Sequence, residues 1–290
     1  MAIADFHLHS THSDGRKTPA ELARLFHWNG LRYVALTDHD TVAGLGEMRA
    51  ALAAYPEITL IPGVELSVEM GGAEVHMLGY FFDEADPAFL AQLARFREGR
   101  LGRGEEMVRI LRTLGIEITF ARVLEIAGEA SVGRPHVALA LMEKGYVKTT
   151  NEAFERYLAN GGPAYVSREK LTPEDAIAML TAAGGVAVVA HPQYIGARGE
   201  VSPALRDQHL ERLAAAGVVG MEVYYKANPP ELVAELRAVA ERLNLLPLGG
   251  SDYHALSRDD ECEPGRIPLP DVAVPPFLAL GEGRPWEQRR

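Results

Sequence analysis

Residues 3–15 read Ile3-Ala4-Asp5-Phe6-His7-Leu8-His9-Ser10-Thr11-His12-Ser13-Asp14-Gly15. In an extended chain successive side chains point to opposite faces. A strand over Ile3–His9 therefore puts Ala4, Phe6 and Leu8 on one face and Asp5, His7 and His9 on the other. Such a strand can pack its apolar side against helices while turning two imidazoles the other way, a poor design for a bare core. The turn that follows adds His12 and Asp14, so residues able to bind metals accumulate at the strand's C-terminal end.

The pattern recurs outward from this stretch. Tyr33–Thr37 reads as a strand running into Asp38-His39-Asp40, and Ile58–Glu65 as one ending in Glu65 itself. Glu74–Tyr80 carries His76, Val186–Ala190 stops at His191, and Leu246–Gly249 runs into Gly250-Ser251-Asp252-Tyr253-His254. With Val219–Val223 these make seven predicted strands. Helical patterns separate most of them, which predicts an α/β fold with a parallel sheet closed or curved by crossovers. Thr18-Pro19-Ala20-Glu21 and Thr172-Pro173-Glu174-Asp175 each mark a helix start with an N-cap threonine, a first-turn proline and an acid at the third helical position. The third and fourth strands are the exception, joined by Gly71-Gly72 in a hairpin-like excursion.

One connection is far too long for a crossover. Phe81 to Gly185 spans 105 residues, where a few tens suffice. Within it Pro87–Leu114, Phe120–Gly128, Arg134–Lys144 and Asn151–Asn160 read as helices. Residues 1–80 and 186–290 are thus expected to form the barrel. Residues 81–185 are expected to be a mostly helical insertion (about 86–167) plus the return crossover helix. From Arg95 to Lys170 there are 13 Lys+Arg against 10 Asp+Glu, a local +3 in a chain of net charge −11. The excess reads either as a surface for an anionic substrate or as solvated helix faces. The overall charge argues against a general nucleic-acid coat protein. No apolar run is long enough to span a bilayer, and the N-terminus lacks a basic n-region, so neither membrane insertion nor a signal peptide is expected. A single cysteine, Cys262, excludes an intrachain disulfide and fits a cytoplasmic setting.

In a barrel the C-terminal strand ends converge on one face. His7, His9, His39, His76, His191 and His254 would gather there with Asp14, Glu65 and Asp252. Crowded imidazoles and carboxylates repel or stay unsatisfied without a cation. Nitrogen and oxygen donors without thiolate suit zinc, manganese or iron. Asp38 and Asp40 read equally as ligands or as caps of a helix beginning at Thr41. No Walker loop, GxSxG elbow or GxGxxG fingerprint is present.

The strings HLHSTHSDG, ALTDHDT, GVELS, EVHMLGY, VAHP and GSDYH resemble, in order, those of the PHP (polymerase and histidinol phosphatase) family. The resemblance implies a distorted (β/α)7 PHP barrel with up to three metal ions, manganese first among them and zinc or iron as alternatives. By the same likeness the first ion would take His7, His9, Glu65 and Asp252. The second would share Glu65 and add His76 and His191, and the third would take Asp14, His39 and His254. Glu65, Asp252 and His191 would then stand at the reacting centre. Gly133-Arg134-Pro135-His136 and the helical insertion are similar to the branch of 3′,5′-nucleotide bisphosphate phosphatases, which is related to a 5′→3′ exoribonuclease. In that branch the Arg and His of this motif contact phosphate, a role implied here for Arg134 and His136. Read from the residues alone, His136 instead packs under the helix start at Pro135.

The expected function is hydrolysis of the 3′-phosphate of a nucleotide bisphosphate such as pAp, with short 5′-phosphorylated oligonucleotides as further substrates and no stable protein partner. The enzyme rival is a histidinol-phosphate phosphatase. The rival of another class is a non-catalytic metal-binding module, against which stands the presence of every matched ligand position. Tyr165, Arg168 and Lys170 are looser candidates for anion contact, and Tyr224 or Tyr225 for stacking on a base.

Overall fold

The computed structural model describes residues 2–70, 73–128, 130–167, 171–195, 202–226, 228–256 and 261–289. The Gly71-Gly72 turn, Arg168 and Lys170 lie outside the described residues. Seven strands follow one another across a single sheet in chain order: β1 (Ala4–Asp5), β2 (Tyr33–Leu36), β3 (Thr59–Met70), β4 (Ala73–Tyr80), β5 (Val186–Val189), β6 (Gly220–Tyr225) and β7 (Leu246–Gly250). β4 runs against both its neighbours and every other pair is parallel. The two ends of the sheet then meet. Asp252 N–H donates to the His7 carbonyl at 2.9 Å, and His9 N–H to the Tyr253 carbonyl at 3.1 Å. This seam nearly closes the barrel.

β5 is Val-Ala-Val-Val and wholly buried, as a strand covered on both faces requires. Helices α1 (Pro19–Trp28) and α2 (Gly44–Leu52) cross between the first strands. α1 begins where the sequence marks it, with Glu21 N–H donating to Thr18 Oγ1 at 3.2 Å and Thr18 N–H to Glu21 Oε2 at 2.8 Å. Between β4 and β5 come α3 (Pro87–Thr113), α4 (Phe120–Ala127), α5 (Arg134–Glu143), α6 (Thr150–Ala153) and α7 (Pro173–Ala182). α8 (Pro203–Ala216) and α9 (Pro230–Arg242) complete the parallel crossovers. Buried apolar side chains form two clusters. The larger surrounds the barrel, and the smaller, including Leu111, Val123, Val137, Leu141 and Leu158, lies within residues 108–164. Among the described residues, no helix is long and apolar enough to cross a membrane.

Three local expectations need correction. The strand β1 stops at Asp5, short of His9: beyond it Leu8 N–H donates to the Thr37 hydroxyl at 3.0 Å instead of a backbone carbonyl, and Leu8 keeps an isolated bridge to Tyr253. The helix expected over Asn151–Asn160 stops at Ala153 and gives way to a π-helical turn, Phe154–Leu158. No helix starts at Thr41. α2 begins at Gly44 without a side-chain cap, so neither Asp38 nor Asp40 serves as one.

Candidate metal centre

The strand ends bring His7, His9, Glu65 and Asp252 into one group. His7 Nε2 and His9 Nε2 are 3.1 Å apart. From Glu65 Oε2 they lie 3.3 and 3.2 Å away, and from Asp252 Oδ1 3.4 and 3.2 Å. These five separations match edges of a tetrahedron whose centre lies about 2.0 Å from each corner, the bond length of a transition metal to nitrogen or oxygen. The tautomers agree. His7 Nδ1 donates to Glu222 Oε1 at 3.1 Å, and His9 Nδ1 faces Ser13 Oγ at 3.4 Å. Each Nε2 therefore keeps its lone pair for the common centre.

A second group joins Asp14, His39 and His254 to His9, with Asp14 Oδ1 3.2 Å from His254 Nε2 and Asp14 Oδ2 3.8 Å from His39 Nε2. His254 Nδ1 donates to the Asp252 carbonyl at 2.9 Å, again leaving Nε2 free to coordinate. The third group departs from the expected set, since it joins His39 to Glu65 and His76. His39 Nδ1 is 3.0 Å from Glu65 Oε2 and His76 Nδ1 is 2.8 Å from Glu65 Oε1. His191 stands beside this group with Nε2 3.2 Å from Glu65 Oε1. A neutral imidazole offers one lone pair, so His39 can serve the second or the third group but not both at once.

Electrostatics mark the same centre. Burial opposes the charged carboxylates of Asp14, Glu65 and Asp252, yet the surrounding imidazoles hold all three well below the usual carboxylate range. Burial also lowers the imidazoles, but the carboxylates raise His7 well above its ordinary value and His9 to about 9. His39 is left at about 3 by burial. Asp14 Oδ1, His39 Nδ1 and Glu65 Oε2 are buried with no hydrogen-bond partner. Orphaned donors and acceptors in a pocket that favours positive charge are the signature of a cation site.

The surroundings hold these groups in place. Asp38 accepts from Ser10 N–H at 2.7 Å, Ser10 Oγ at 2.7 Å and Ser13 Oγ at 2.6 Å, pinning the loop that carries Asp14. Asp40 accepts from Arg100 Nε at 2.6 Å and Ser67 N–H at 3.0 Å. Both aspartates thus fasten the site's frame. Tyr225 donates to Asp252 Oδ2 at 2.6 Å, with Lys226 Nζ 3.4 Å from the same oxygen. Asp40, His191 and Asp252 all have positive φ, backbone strain at the very strand ends that carry the site. A Cβ on Gly250 would fall 2.2 Å from His7 Cβ, so only glycine lets β7 approach there.

Neither Glu222, whose strand has no ligand spacing, nor Tyr194 is signalled by sequence pattern. Tyr224 and Tyr225, expected as stacking candidates, are buried, whereas Tyr194 is 55 % exposed and edge-on to Tyr225 with ring centroids 6.0 Å apart. Arg134 opens α5, donates to Asn160 Oδ1 at 3.3 Å and lies over the Phe154 ring. His136 is buried with Nδ1 accepting Gly133 N–H at 3.0 Å. Burial lowers its pKa. Tyr165 takes the Arg103 guanidinium over its ring, 5.5 Å from the centroid.

Polar orphans of this kind at the rim of an α/β barrel define a class, barrel proteins built to hold a metal cluster. The chain belongs to the PHP family within it, the PHP domain model matching residues 5–216. It is 37 % identical over 256 residues to a 3′,5′-nucleoside bisphosphate phosphatase of Chromobacterium violaceum, covering 88 % of each chain. It is 34 % identical over 250 residues to a 5′-3′ exoribonuclease of Haemophilus influenzae, covering 86 % of this chain and 89 % of the relative. A crystal structure from Bifidobacterium adolescentis, assigned as a metal-dependent phosphoesterase, superposes with a TM-score of 0.85 at 32 % identity over 96 % of each chain.

Proposed function

We propose that this chain is a metal-dependent phosphoesterase that removes the 3′-phosphate of 3′,5′-nucleotide bisphosphates, converting pAp to AMP and phosphate. The observation that carries the reading is the contact of Arg100 in α3 with Asp40 Oδ2 at 2.6 Å and Ser67 Oγ at 2.8 Å, which fastens the helical region to the strand ends bearing the metal donors, with Gly133, where α5 starts, beside the same guanidinium. In this reading the guanidinium of Arg134 at that helix start takes a second phosphate while the first meets the metal donors. The donor set fits two or three divalent ions, manganese first and zinc or iron as alternatives. When bound, such ions stabilise charge on a transferring phosphoryl group and lower the pKa of water.

The chain's own residues divide the work. His7, His9 and Asp252 would hold one ion, and Asp14, His39 and His254 another. Glu65, which faces both its own group and His191, would serve both. Arg134 clamps the phosphate that is not attacked. His136, buried with Nδ1 taken by the Gly133 N–H, serves as a strut for that clamp. Residues 81–185 act as the substrate-selecting module of a cytoplasmic enzyme. The bisphosphate phosphatase named among the relatives supports this choice of substrate. The related exoribonuclease supports a second one, short 5′-phosphorylated RNA.

Phosphate release from pAp and histidinol phosphate, and nucleotide release from short 5′-phosphorylated RNA, decide the matter with manganese-reconstituted enzyme. The expected order puts pAp first by kcat/KM, with slower attack on the oligonucleotide. Histidinol phosphate as the best substrate would overturn the reading.

A further inference from the structure

We propose that Glu222 is a positioning residue that couples two metal ligands through one carboxylate, fixing the ring of His7 and the backbone of His191. This rests on the metal-centre reading and is independent of the choice of substrate. Glu222 sits in mid-β6 with its side chain inside the barrel and 1 % exposed. Its Oε1 is 3.1 Å from His7 Nδ1, and its Oε2 accepts the His191 N–H at 2.7 Å. A carboxylate can only accept, so the His7 proton is held on Nδ1 and the Nε2 lone pair is turned toward His9, Glu65 and Asp252. His191 lies at φ 26 and ψ 63, a region that non-glycine residues occupy at a cost. A charge-assisted bond to its amide holds that conformation and aims its ring at Glu65 Oε1, 3.2 Å away. Oxygens of one side chain thus serve ligands from the segments that follow β1 and β5, brought together only by barrel closure.

Glutamine cannot replace it, although the shape is the same. If its oxygen accepts from His7, its NH2 meets the His191 N–H, donor against donor. If it turns over, NH2 donates to His7 Nδ1 and drives the ring proton onto Nε2, the nitrogen that faces the metal. The test uses full-length Glu222→Gln, with metal content and affinity read by competition against a chelator. The expected result is a loss of 10–100-fold in affinity at the sites that use His7 and His191. The ion held by Asp14, His39 and His254 stays, in a chain with wild-type circular dichroism. Unchanged affinity, or an equal loss at every site, would overturn the proposal. Should the variant fail to fold, nitrogen NMR of His7 in the zinc-loaded wild-type protein decides. A protonated Nδ1 supports the assignment and an unprotonated one removes it. A wild-type chain that takes up no metal at all sinks the metal-centre reading instead, an outcome separate from both.

Discussion

Glu65 faces a different set of histidines with each of its oxygens. Oε1 looks to His76 and His191, and Oε2 to His7, His9 and His39. Without a cation this crowding favours protonated imidazoles: against the pull of burial, the carboxylates of Asp252, Glu65 and Asp14 raise His9 from its ordinary 6.5 to about 9. Because the folded value lies above the unfolded one, the stabilisation from protonated His9 is complete below pH 6.5 and lost as pH rises through about 9. A metal entering the site must displace such protons from His9 and from His7, which carboxylates likewise raise, so its apparent affinity should rise with pH, by about tenfold per pH unit for each proton released. Chelator competition at pH 6, 7 and 8 checks this, and a flat profile would speak against His7 and His9 as ligands. The ligands themselves were legible because strand alternation isolates His7 and His9 on a polar face. Glu222 was not, because a single acid in Met221-Glu222-Val223-Tyr224-Tyr225 looks like an edge residue until the barrel closes around it. Asp38 and Asp40 were read as ligands or helix caps because spacing alone does not show that the helix waits until Gly44.

The strands and most helices were written in apolar runs and caps, and Thr18, Thr119 and Thr172 each accept the backbone bond that starts a helix. What the sequence leaves open at this scale is set by partners distant along the chain. The Thr37 hydroxyl takes the Leu8 N–H beyond β1, and a π-helical turn follows α6 where the Phe154 ring lies under Arg134. That contact matters for α5. Arg134→Ala should cost the bisphosphate substrate about 1.5–3 kcal/mol, roughly one to two decades in kcat/KM, through the lost charge-assisted phosphate contact. A monoester such as p-nitrophenyl phosphate, lacking the second phosphate, should change little. Thermal unfolding alongside separates this from a loosened helix. An equal loss on both substrates would place Arg134 with the metal centre or the fold.

At the scale of the molecule an acidic chain carries a helical region of local positive charge with its own buried cluster, fastened to the barrel rim by Arg100 on Asp40 and Ser67. Barrel closure is what turns scattered strand-end residues into one centre: Asp252 reaches His7 and His9 only because β7 meets the chain beyond β1. The order of the motifs made this readable, but the sharing of His39 between two groups was not, since it depends on which way one ring faces. Anomalous diffraction from crystals grown with manganese tests the whole arrangement most directly. The expected result is at least two ordered ions within bonding distance of Glu65, the first also held by His7, His9 and Asp252. Crystals saturated with metal that show no ion at Glu65 would contradict it.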